Sequence, residues 1–365
     1  MATFFDSVHI TNFKSLKDVT LSDCKRINLL IGKPNVGKSN VLEAIGLFSL
    51  PYFRYDKNKK LLTQIVRFEN IAELFFDGNI DEKIVIRTND NSFCIVNYLE
   101  QRNLVQFEID LKPNFPIDES LLENILAQSN LRASDIYEVG INNGLILGLS
   151  GGTRPSTGYV GSKVNYYKFS EVFVLKKPDL FSNLTSHLTP PNGVNLLDVI
   201  QRNKTLEKEL SKLFTEYGLQ LLLDKTSHTL RIMKNLKEDN VMVSFPYSSI
   251  ADTLQRIIFF KTAITSNKNS ILLFEEPEAH CFPPYITHIA KEIINSESNQ
   301  FFIATHSPYI LDAFLENARA DLAIFMADFK DGQTVIKRLT DNELNDVYEY
   351  GLDLFFNSEL FTDEL

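Results

Sequence analysis

The chain has 365 residues, of which 44% are hydrophobic and 23% charged, the ordinary composition of a soluble globular protein with one large or two ordinary domains. Its net charge of −10 is unevenly placed. The last 25 residues, 341–365, hold eight acidic residues and no Lys or Arg, so the other 340 carry only −2. The charge therefore indicates no strongly basic nucleic-acid-binding domain, although it does not exclude nucleic acid as a partner.

The cysteines and the apolar runs bear on the cellular compartment. Cys24, Cys94 and Cys281 lie far apart and form no C-x-x-C pair, which indicates neither a disulfide framework nor a zinc knuckle. The N-terminus lacks the basic region and apolar stretch of a signal peptide. No apolar run reaches the ~18 residues that a membrane span needs. We therefore expect a cytoplasmic protein with no membrane partner.

A glycine-rich loop follows the first predicted strands. The alternating run "VHITNFKSLKDVTL" and the apolar run "INLLI" predict strands, and "NVLEAIGLF" has helical spacing. Between them "GKPNVGKS", Gly32 to Ser39, matches G-x-x-x-x-G-K-[ST]. Gly32 and Gly37 let backbone N–H groups point at phosphate oxygens, Lys38 reaches the β- and γ-phosphates, and the Ser39 hydroxyl binds Mg²⁺. Because both flanks are correct, we favour a phosphate site over a chance match in a turn.

The middle of the chain is less diagnostic. "KIVIRT", "FCIVNYL", "LQLLLDK", "TLRIMKN" and "VMVSF" predict strands, and residues 118–130 predict a helix. The segment 140–161 holds seven of the fifteen glycines; part of it fits a strand, and 150–158 fits a mobile surface loop better than a functional lid. Residues 195–218 predict an amphipathic helix. No heptad pattern persists, so no long coiled coil is expected.

Two later stretches supply the acidic groups that a phosphate loop needs for hydrolysis. In "SILLFEEPEAH", Glu275 follows a buried strand as a Mg²⁺ ligand, and Glu276 is placed to accept a proton from the attacking water. Burying two adjacent carboxylates at the end of an apolar strand costs free energy unless a cation or hydrogen-bond donors pair with them. In "QFFIATHSPYIL", His306 follows a second strand and precedes a helix that begins with proline, where it can contact a γ-phosphate or steady the carboxylate.

A further helix start lies in "FPYSSIADTLQRIIFFKTAI", residues 245–264. Ser249 or Asp252 is expected to be its N-cap. The N-terminus of a helix also binds anions. Simple capping and the reception of a phosphate from another subunit are both open interpretations of this stretch.

In this order the motifs resemble the ABC-class ATPase heads of the RecF, SMC and OLD-like group. "ITNFKSLKDVTL" with "INLLIGKPNVGKSNVLEAI" resembles the start of these heads, "LLFEEPEAH" their Walker B motif and D-loop, and "ATHSPYIL" their switch-histidine loop. The resemblance covers the first 50 residues and about 245–315. "SSIADTLQR" occupies the position of the signature motif.

The resemblance implies roles for particular residues. Glu276 and His306 are the catalytic residues, Ser39 and Glu275 hold Mg²⁺, and residues of the opposite subunit's signature motif close the site. Two departures stand out: Glu275 replaces the usual Asp, and Ala251 and Thr253 stand where Gly is common. The glutamine of the Q-loop is not identified, and residues 67–79 are its candidate region. The implied nucleotide-binding residues are Lys14, Gly32, Asn35, Val36, Gly37, Lys38, Ser39 and Asn40, and the signature residues acting in trans are Ser249, Asp252 and Thr253.

The fold implied is an α/β P-loop NTPase head of the ABC type, with a mixed β-sheet core, helices and an N-terminal antiparallel β subdomain. We expect one composite head over residues 1–365. Its nucleotide-binding core comprises 1–80 and 240–340, and 81–239 form an inserted lobe. The acidic segment 341–365 is expected to be a helix packed on the head or a docking surface for a basic partner.

Several related functions are disfavoured. An SMC protein needs long coiled coils, and an OLD nuclease needs a further metal-binding domain, for which the 59 residues after His306 are too few. Asp328 and Asp331 fit a hairpin turn, and "HCFPPYITH" is disfavoured as a zinc site. A GTPase would normally carry an N-K-x-D motif, and the sequence contains none. A small-molecule kinase would lack the motifs around Ser249–Arg256 and His306.

We therefore predict an ATPase, slow or regulated, that uses ATP and Mg²⁺. The resemblance implies a homodimer or higher oligomer that sandwiches ATP and acts as a switch for a protein effector, as in bacterial anti-phage systems. A role in DNA repair or DNA sensing is the alternative, and the residues leave both open.

Overall fold

The computed structural model describes residues 4–50, 62–102, 104–111, 135–140, 146–150, 163–169, 186–215, 217–224, 229–236 and 241–362. The predicted helix over 118–130 and nearly all of the predicted loop over 150–158 lie outside these residues. The chain forms two compact units. The first comprises Met1–Tyr166, Asn269–Glu276 and Ser298–Leu365, and the second comprises Tyr167–Lys268 and Pro277–Glu297. The predicted division into a core and an inserted lobe stays a prediction.

The first unit contains an antiparallel sheet that begins at the N-terminus, as predicted. Each strand pairs antiparallel with its neighbours, in the order β2-β1-β4-β5-β6-β7-β8. Burial alternates along the start of the first strand, Val8–Phe13, which explains its period of two. Its strands are β1 Val8–Phe13, β2 Leu16–Leu21, β4 Ile84–Thr88, β5 Phe93–Leu99, β6 Leu104–Asp110, β7 Asp135–Gly140 and β8 Ile146–Ser150. Strand β3 belongs to the second sheet.

The second sheet of this unit carries the nucleotide motifs. Its strand order is β16-β15-β3-β14-β13-β9, in which β15, β3, β14 and β13 run parallel and β16 antiparallel to β15. All five residues of β3 and of β14 are buried, as expected for central strands of a parallel sheet. The strands are β3 Ile27–Ile31, β9 Val164–Tyr167, β13 Ile271–Glu275, β14 Gln300–Ala304, β15 Leu322–Lys330 and β16 Gln333–Arg338.

The parallel strands end at one edge of this sheet, and the functional motifs follow them there. Helix α1, Lys38–Gly46, follows β3 through the glycine-rich loop, and Glu276 follows β13. After β14 comes His306, and then the predicted helix that begins with proline, Pro308–Asn317. The turn between β15 and β16 has positive φ at Asp331 (50°) and Gly332 (79°), the geometry of a tight hairpin, which confirms the turn predicted for this acidic stretch.

The acidic C-terminal segment contains two helices in its described part. One helix, Asp341–Tyr350, begins with a capping box between Thr340 and Glu343 and ends at Gly351 in the left-handed conformation; a second is Ser358–Thr362. Leu344, Val347, Leu354 and Phe361 are buried, whereas Phe356 is 89% exposed. Within the residues that the structure describes, no helix is long and apolar enough to cross a membrane.

The second unit combines helices with a three-stranded antiparallel sheet in the order β10-β11-β12. The helix predicted over 195–218 is two helices, Leu196–Arg202 and Lys204–Thr215, because the side chain of Asn203 accepts a hydrogen bond from Leu206 N at 3.1 Å and starts a new helix. With the helices numbered in chain order, the elements of the second unit are α2 Leu196–Arg202, α3 Lys204–Thr215, β10 Leu219–Asp224, β11 Thr229–Leu236, β12 Val241–Pro246, α4 Asp252–Ser266 and α5 Pro283–Asn295.

The last three helices belong to the first unit. They are α6 Pro308–Asn317, α7 Asp341–Tyr350 and α8 Ser358–Thr362.

The N-cap predicted for α4 is wrong. The capping position is held by Ala251, and no side chain caps the helix. Asp252 is instead the first helical residue, where its carboxylate accepts a hydrogen bond from Arg256 Nε at 2.9 Å, an i,i+4 pair. Ser249 lies one turn earlier, in the 3₁₀ helix Tyr247–Ser249. The helical pairing with Arg256 outweighs the capping preference of the aspartate.

Candidate nucleotide-binding site

The glycine-rich loop is packed closely against the β15–β16 hairpin. A Cβ atom on Gly32 would lie 2.2 Å from the carbonyl oxygen of Ala327, and one on Gly37 would lie 2.1 Å from Thr334 Oγ1. Gly37 also has φ 99° and precedes the first residue of α1. A Cβ on Gly32 would therefore displace the backbone of the hairpin, and one on Gly37 would displace the side chains of Thr334 and Ser15. The loop leads directly into a helix N-terminus, the geometry that binds phosphate.

Lys38 lies inside the loop. Its ammonium donates hydrogen bonds to the carbonyl oxygens of Gly32 at 2.8 Å and Lys33 at 2.7 Å. Burial lowers the pKa of Lys38 to about 8, although the nearby Glu276 carboxylate raises it. An ammonium group has three protons, so one remains for a phosphate oxygen. The predicted phosphate contact is thus compatible with the position of this side chain.

Two other predicted nucleotide-binding residues contact protein groups. The Asn40 amide donates to Ser15 Oγ at 2.7 Å, and this hydroxyl is 2.6 Å from Thr334 Oγ1, so Asn40 connects α1 to the hairpin. Lys14 donates to Glu43 Oε2 at 2.5 Å and to Arg67 O at 2.6 Å. Their contacts with nucleotide stay predictions, as does that of Asn35, whose φ of 63° helps to turn the loop, and that of the buried Val36.

Glu275 ends β13 with both carboxylate oxygens engaged. Oε1 accepts a hydrogen bond from Arg67 Nη2 at 2.9 Å, and Oε2 accepts one from the Tyr166 hydroxyl at 2.9 Å. Tyr166 is fully buried. Burial, and then the carboxylate of Glu275, raise the pKa of Tyr166, so its hydroxyl keeps the proton that it donates.

Glu276 and His306 face each other at the same sheet edge. His306 Nε2 lies 3.5 Å from Glu276 Oε1. Glu276 has φ 43°, an unfavourable conformation for this residue, and its backbone N–H donates to Ala304 O at 2.8 Å. Burial and the Lys38 charge lower the pKa of His306, opposed by Glu276, so the imidazole is mostly neutral at pH 7. The strained backbone holds a half-exposed carboxylate beside a neutral imidazole.

Sequence reasoning missed the residues that surround Glu275. Arg67 contacts Glu275, and its Nε also donates to Glu43 Oε1 at 2.8 Å. Glu43 is completely buried in α1. Arg67 lies at the start of the stretch considered for the Q-loop, and an acidic residue between Leu42 and Ala44 on an apolar helix was a usable signal, because a buried carboxylate needs a cationic partner. Nothing in the pattern indicated Tyr166.

Known proteins resemble this chain in sequence. Residues 252–311 match the AAA ATPase domain family AAA_15. The chain is 22% identical over 338 residues to an "ATP/GTP phosphatase" of Helicobacter pylori, covering 84% of this chain and 86% of that protein. It is also 26% identical over 95 residues to an uncharacterised protein of Methanocaldococcus jannaschii, covering 24% of this chain and 43% of that one.

The crystal structure of an Smc head bound to the C-winged helix domain of ScpA superposes with a TM-score of 0.50 at 17% sequence identity, and the match covers 93% of this chain and 98% of that chain. The fold is that of an Smc head domain. The similarity to ABC-class heads expected from the motifs is therefore confirmed, as is the α/β class with mixed sheets.

The donors at this site fit Mg²⁺. Ser39 and Glu275 supply a hydroxyl and a carboxylate, the oxygen ligands that a hard cation prefers, and each carboxylate oxygen has a second lone pair. In the described part of the chain, no three His, Cys, Asp or Glu side chains form a metal site.

The residues predicted to form the signature motif lie in the second unit. Ser249 is exposed, and Asp252 pairs with Arg256. The Thr253 hydroxyl donates to the carbonyl oxygen of His280 at 3.0 Å, which connects the start of α4 to the D-loop stretch. Their action on a nucleotide of another subunit stays a prediction.

Proposed function

We propose that this ATPase head binds ATP with Mg²⁺ and hydrolyses it slowly or under regulation. The observation that carries the proposal is the convergence of Lys38, Glu275, Glu276 and His306 at the edge where β3, β13 and β14 end. A lysine inside a phosphate loop, a metal-binding carboxylate and a base beside a histidine are the parts that phosphoryl transfer to water requires.

Each residue has a distinct task in this proposal. Backbone N–H groups of the loop and the Lys38 ammonium hold the β- and γ-phosphates, and Ser39 and Glu275 hold Mg²⁺, which neutralises the phosphate charge. Glu276 accepts the proton of the attacking water, and in this proposal the neutral His306 donates a hydrogen bond toward the γ-phosphate. The exposed side of Glu276 leaves room for that water.

The nucleotide pocket is tested by Lys38→Ala. We expect this change to abolish ATP binding in calorimetry, because the loop then offers only backbone dipoles and loses its one buried ammonium. Arg87→Ala, which removes an exposed arginine of β4, is the matched control. Equal affinity of wild type and Lys38→Ala would contradict the assignment. Titrating GTP as well as ATP shows which nucleotide the protein binds more tightly, since the Helicobacter pylori relative is named for both.

Hydrolysis is tested by Glu276→Gln, which keeps the size of the side chain but cannot accept a proton. Turnover should fall by about 10²–10⁴, the usual effect of losing a positioned general base, while nucleotide affinity is retained. Glu82→Gln, an exposed glutamate of the same unit, should leave turnover unchanged. Undiminished turnover in Glu276→Gln would place the base elsewhere.

We also propose that two copies sandwich ATP, with Ser249, Asp252 and Thr253 of one subunit closing the site of the other. In Glu276→Gln the unhydrolysed ATP should hold a dimer in light scattering, and removal of nucleotide should release it. Asp252→Arg or Ser249→Arg on this background should break the dimer without changing nucleotide affinity. An oligomeric state that responds neither to ATP nor to arginine would contradict the sandwich.

The nucleotide-dependent dimer is proposed to act as a switch for a protein effector, in anti-phage defence, with DNA repair or DNA sensing as the alternative. The Smc head that shares this fold is itself bound to another protein, which supports a protein partner. Purifying a tagged Glu276→Gln protein with its genomic neighbours tests the proposal: ATP-dependent co-purification of a neighbouring protein supports the effector role. ATP-dependent binding of purified DNA, without such a protein, would favour the alternative.

A further inference from the structure

A single guanidinium joins two carboxylates in the first unit. Arg67 Nε donates to Glu43 Oε1 at 2.8 Å, and Arg67 Nη2 donates to Glu275 Oε1 at 2.9 Å. The planar fork of arginine suits such a bridge, because its separate N–H donors reach both carboxylates at once. The carboxylate proposed to bind Mg²⁺ therefore already has a cation on one of its two oxygens.

The two ends of this bridge differ in how firmly they are held. Glu43 is completely buried, also accepts from the backbone N–H of Arg67 at 3.3 Å, and is paired with Lys14. Lys14 in turn donates to the Arg67 carbonyl oxygen at 2.6 Å. The Glu43 end is thus anchored by several contacts, whereas a single contact joins the 60% exposed Arg67 side chain to Glu275. The contact with Glu275 is the one that can separate while the rest stays in place.

We propose that Arg67 competes with Mg²⁺ for the Glu275 carboxylate, so that binding of the metal displaces the guanidinium from Oε1 while Glu43 keeps it tethered nearby. This inference rests on the proposed function. A guanidinium and Mg²⁺ both require the negative charge of Glu275, and two cations on one carboxylate repel each other in a partly buried site. Arg67 is therefore a positioning residue that sets the Mg²⁺ concentration at which the nucleotide-loaded head takes up its metal.

The unusual glutamate at position 275 fits this competition. An aspartate would withdraw the carboxylate by about 1.5 Å, the length of one carbon–carbon bond. Starting from hydrogen bonds of 2.9 Å to Arg67 and to Tyr166, that withdrawal would break both contacts. In Glu275→Asp the carboxylate no longer reaches Arg67, so the competition should disappear.

The test is a Mg²⁺ titration of the full-length protein saturated with a fluorescent, non-hydrolysable ATP analogue. The chain contains no Trp, so tryptophan emission does not interfere with the nucleotide signal. Arg67→Gln should lower the half-saturating Mg²⁺ concentration by about tenfold, the effect of removing one opposing charge at short range. Arg87→Gln, which removes an exposed arginine charge from β4, should change it less than about twofold.

A double variant separates competition from a general change of charge. In the Glu275→Asp background, Arg67→Gln should no longer change the half-saturating Mg²⁺ concentration, because the two side chains are uncoupled. Should Arg67→Gln fail to fold, Arg67→Lys replaces it. Lysine keeps a cation beside Glu43 but replaces the separate donors of the fork with one ammonium group, so the contact with Glu275 weakens and the half-saturating concentration should fall there too, by less than in Arg67→Gln.

An unchanged or raised half-saturating Mg²⁺ concentration in the folded Arg67 variant would overturn the inference, and so would an equal shift in the Glu275→Asp background. Failure of the proposed function looks different. In that case the wild-type protein does not bind the ATP analogue at all, and Lys38→Ala behaves as wild type does. If only the inference fails, the analogue binds normally and the wild-type and Arg67→Gln titrations superpose.

Discussion

Glu43 allows a quantitative prediction of stability. It has no exposed surface, and its oxygens accept hydrogen bonds from Lys14 Nζ at 2.5 Å, Arg67 Nε at 2.8 Å and the Arg67 backbone N at 3.3 Å. Glu43→Gln keeps the shape of the side chain but leaves one oxygen acceptor, so its NH₂ group must face a donor. The charge that neutralises two cations is lost at the same time.

The expected cost follows from where those cations lie. Breaking a fully buried ion pair by removing one partner typically costs about 3–5 kcal/mol. Arg67 is 60% exposed and retains Glu275, and Lys14 retains the Arg67 carbonyl oxygen, so water and the remaining partners compensate in part. We therefore expect Glu43→Gln to lower the free energy of unfolding by about 2–3 kcal/mol.

The measurement is a urea titration followed by circular dichroism, with Glu82→Gln as the matched control. Glu82 is exposed, and its change should stay within about 0.5 kcal/mol of wild type. A loss below about 1 kcal/mol in Glu43→Gln would refute the reasoning, since it would mean that the buried carboxylate is not needed to neutralise its partners.

Three further changes test other parts of the chain. Burial lowers the pKa of His187 to about 4, so the folded protein keeps this side chain neutral at pH values where the unfolded chain protonates it. The stability present above pH 6.5 is therefore lost as the pH falls toward 4. The free energy of unfolding should drop by about 2 kcal/mol between pH 7 and 5, and by less in His187→Gln. Leu354→Ala should destabilise the head by about 2–5 kcal/mol in thermal or urea unfolding, whereas Phe356→Ala, at an 89% exposed position, should not; equal effects would contradict the packing of the C-terminal segment. Gly37→Ala should abolish ATP binding in calorimetry, because its Cβ would lie 2.1 Å from Thr334 Oγ1 and would distort the loop. Wild-type affinity in this variant would show that Thr334 moves aside without disturbing the loop.

Local patterns predicted much of the first unit. The order of buried strand, glycine-rich loop and helix is encoded within twenty residues, and β4 and β5 follow the stretches that alternate in the sequence. The ends of β13 and β14 could be placed together because parallel strands end at one edge of a sheet. Residue types and short spacings were sufficient for these elements.

The features that were missed depend on distant contacts or on competition between local preferences. Arg67 meets Glu275 across 208 positions of the chain, and Tyr166 reaches the same carboxylate from another strand. At α4, pairing of Asp252 with Arg256 outweighed capping, and at Asn203 a side-chain cap divided one amphipathic stretch into two helices. No periodicity distinguishes these outcomes beforehand.

The two glycines of the phosphate loop serve the protein as well as its ligand. Because Ala327 O and Thr334 Oγ1 occupy the space that a Cβ would need, a descendant that had lost its nucleotide would still be selected for glycine at positions 32 and 37. Among relatives of this chain, retention of these glycines therefore records the architecture of the hairpin. The presence of Lys38 and Ser39, whose side chains the hairpin does not require, is the better marker of a lineage that still consumes nucleotide.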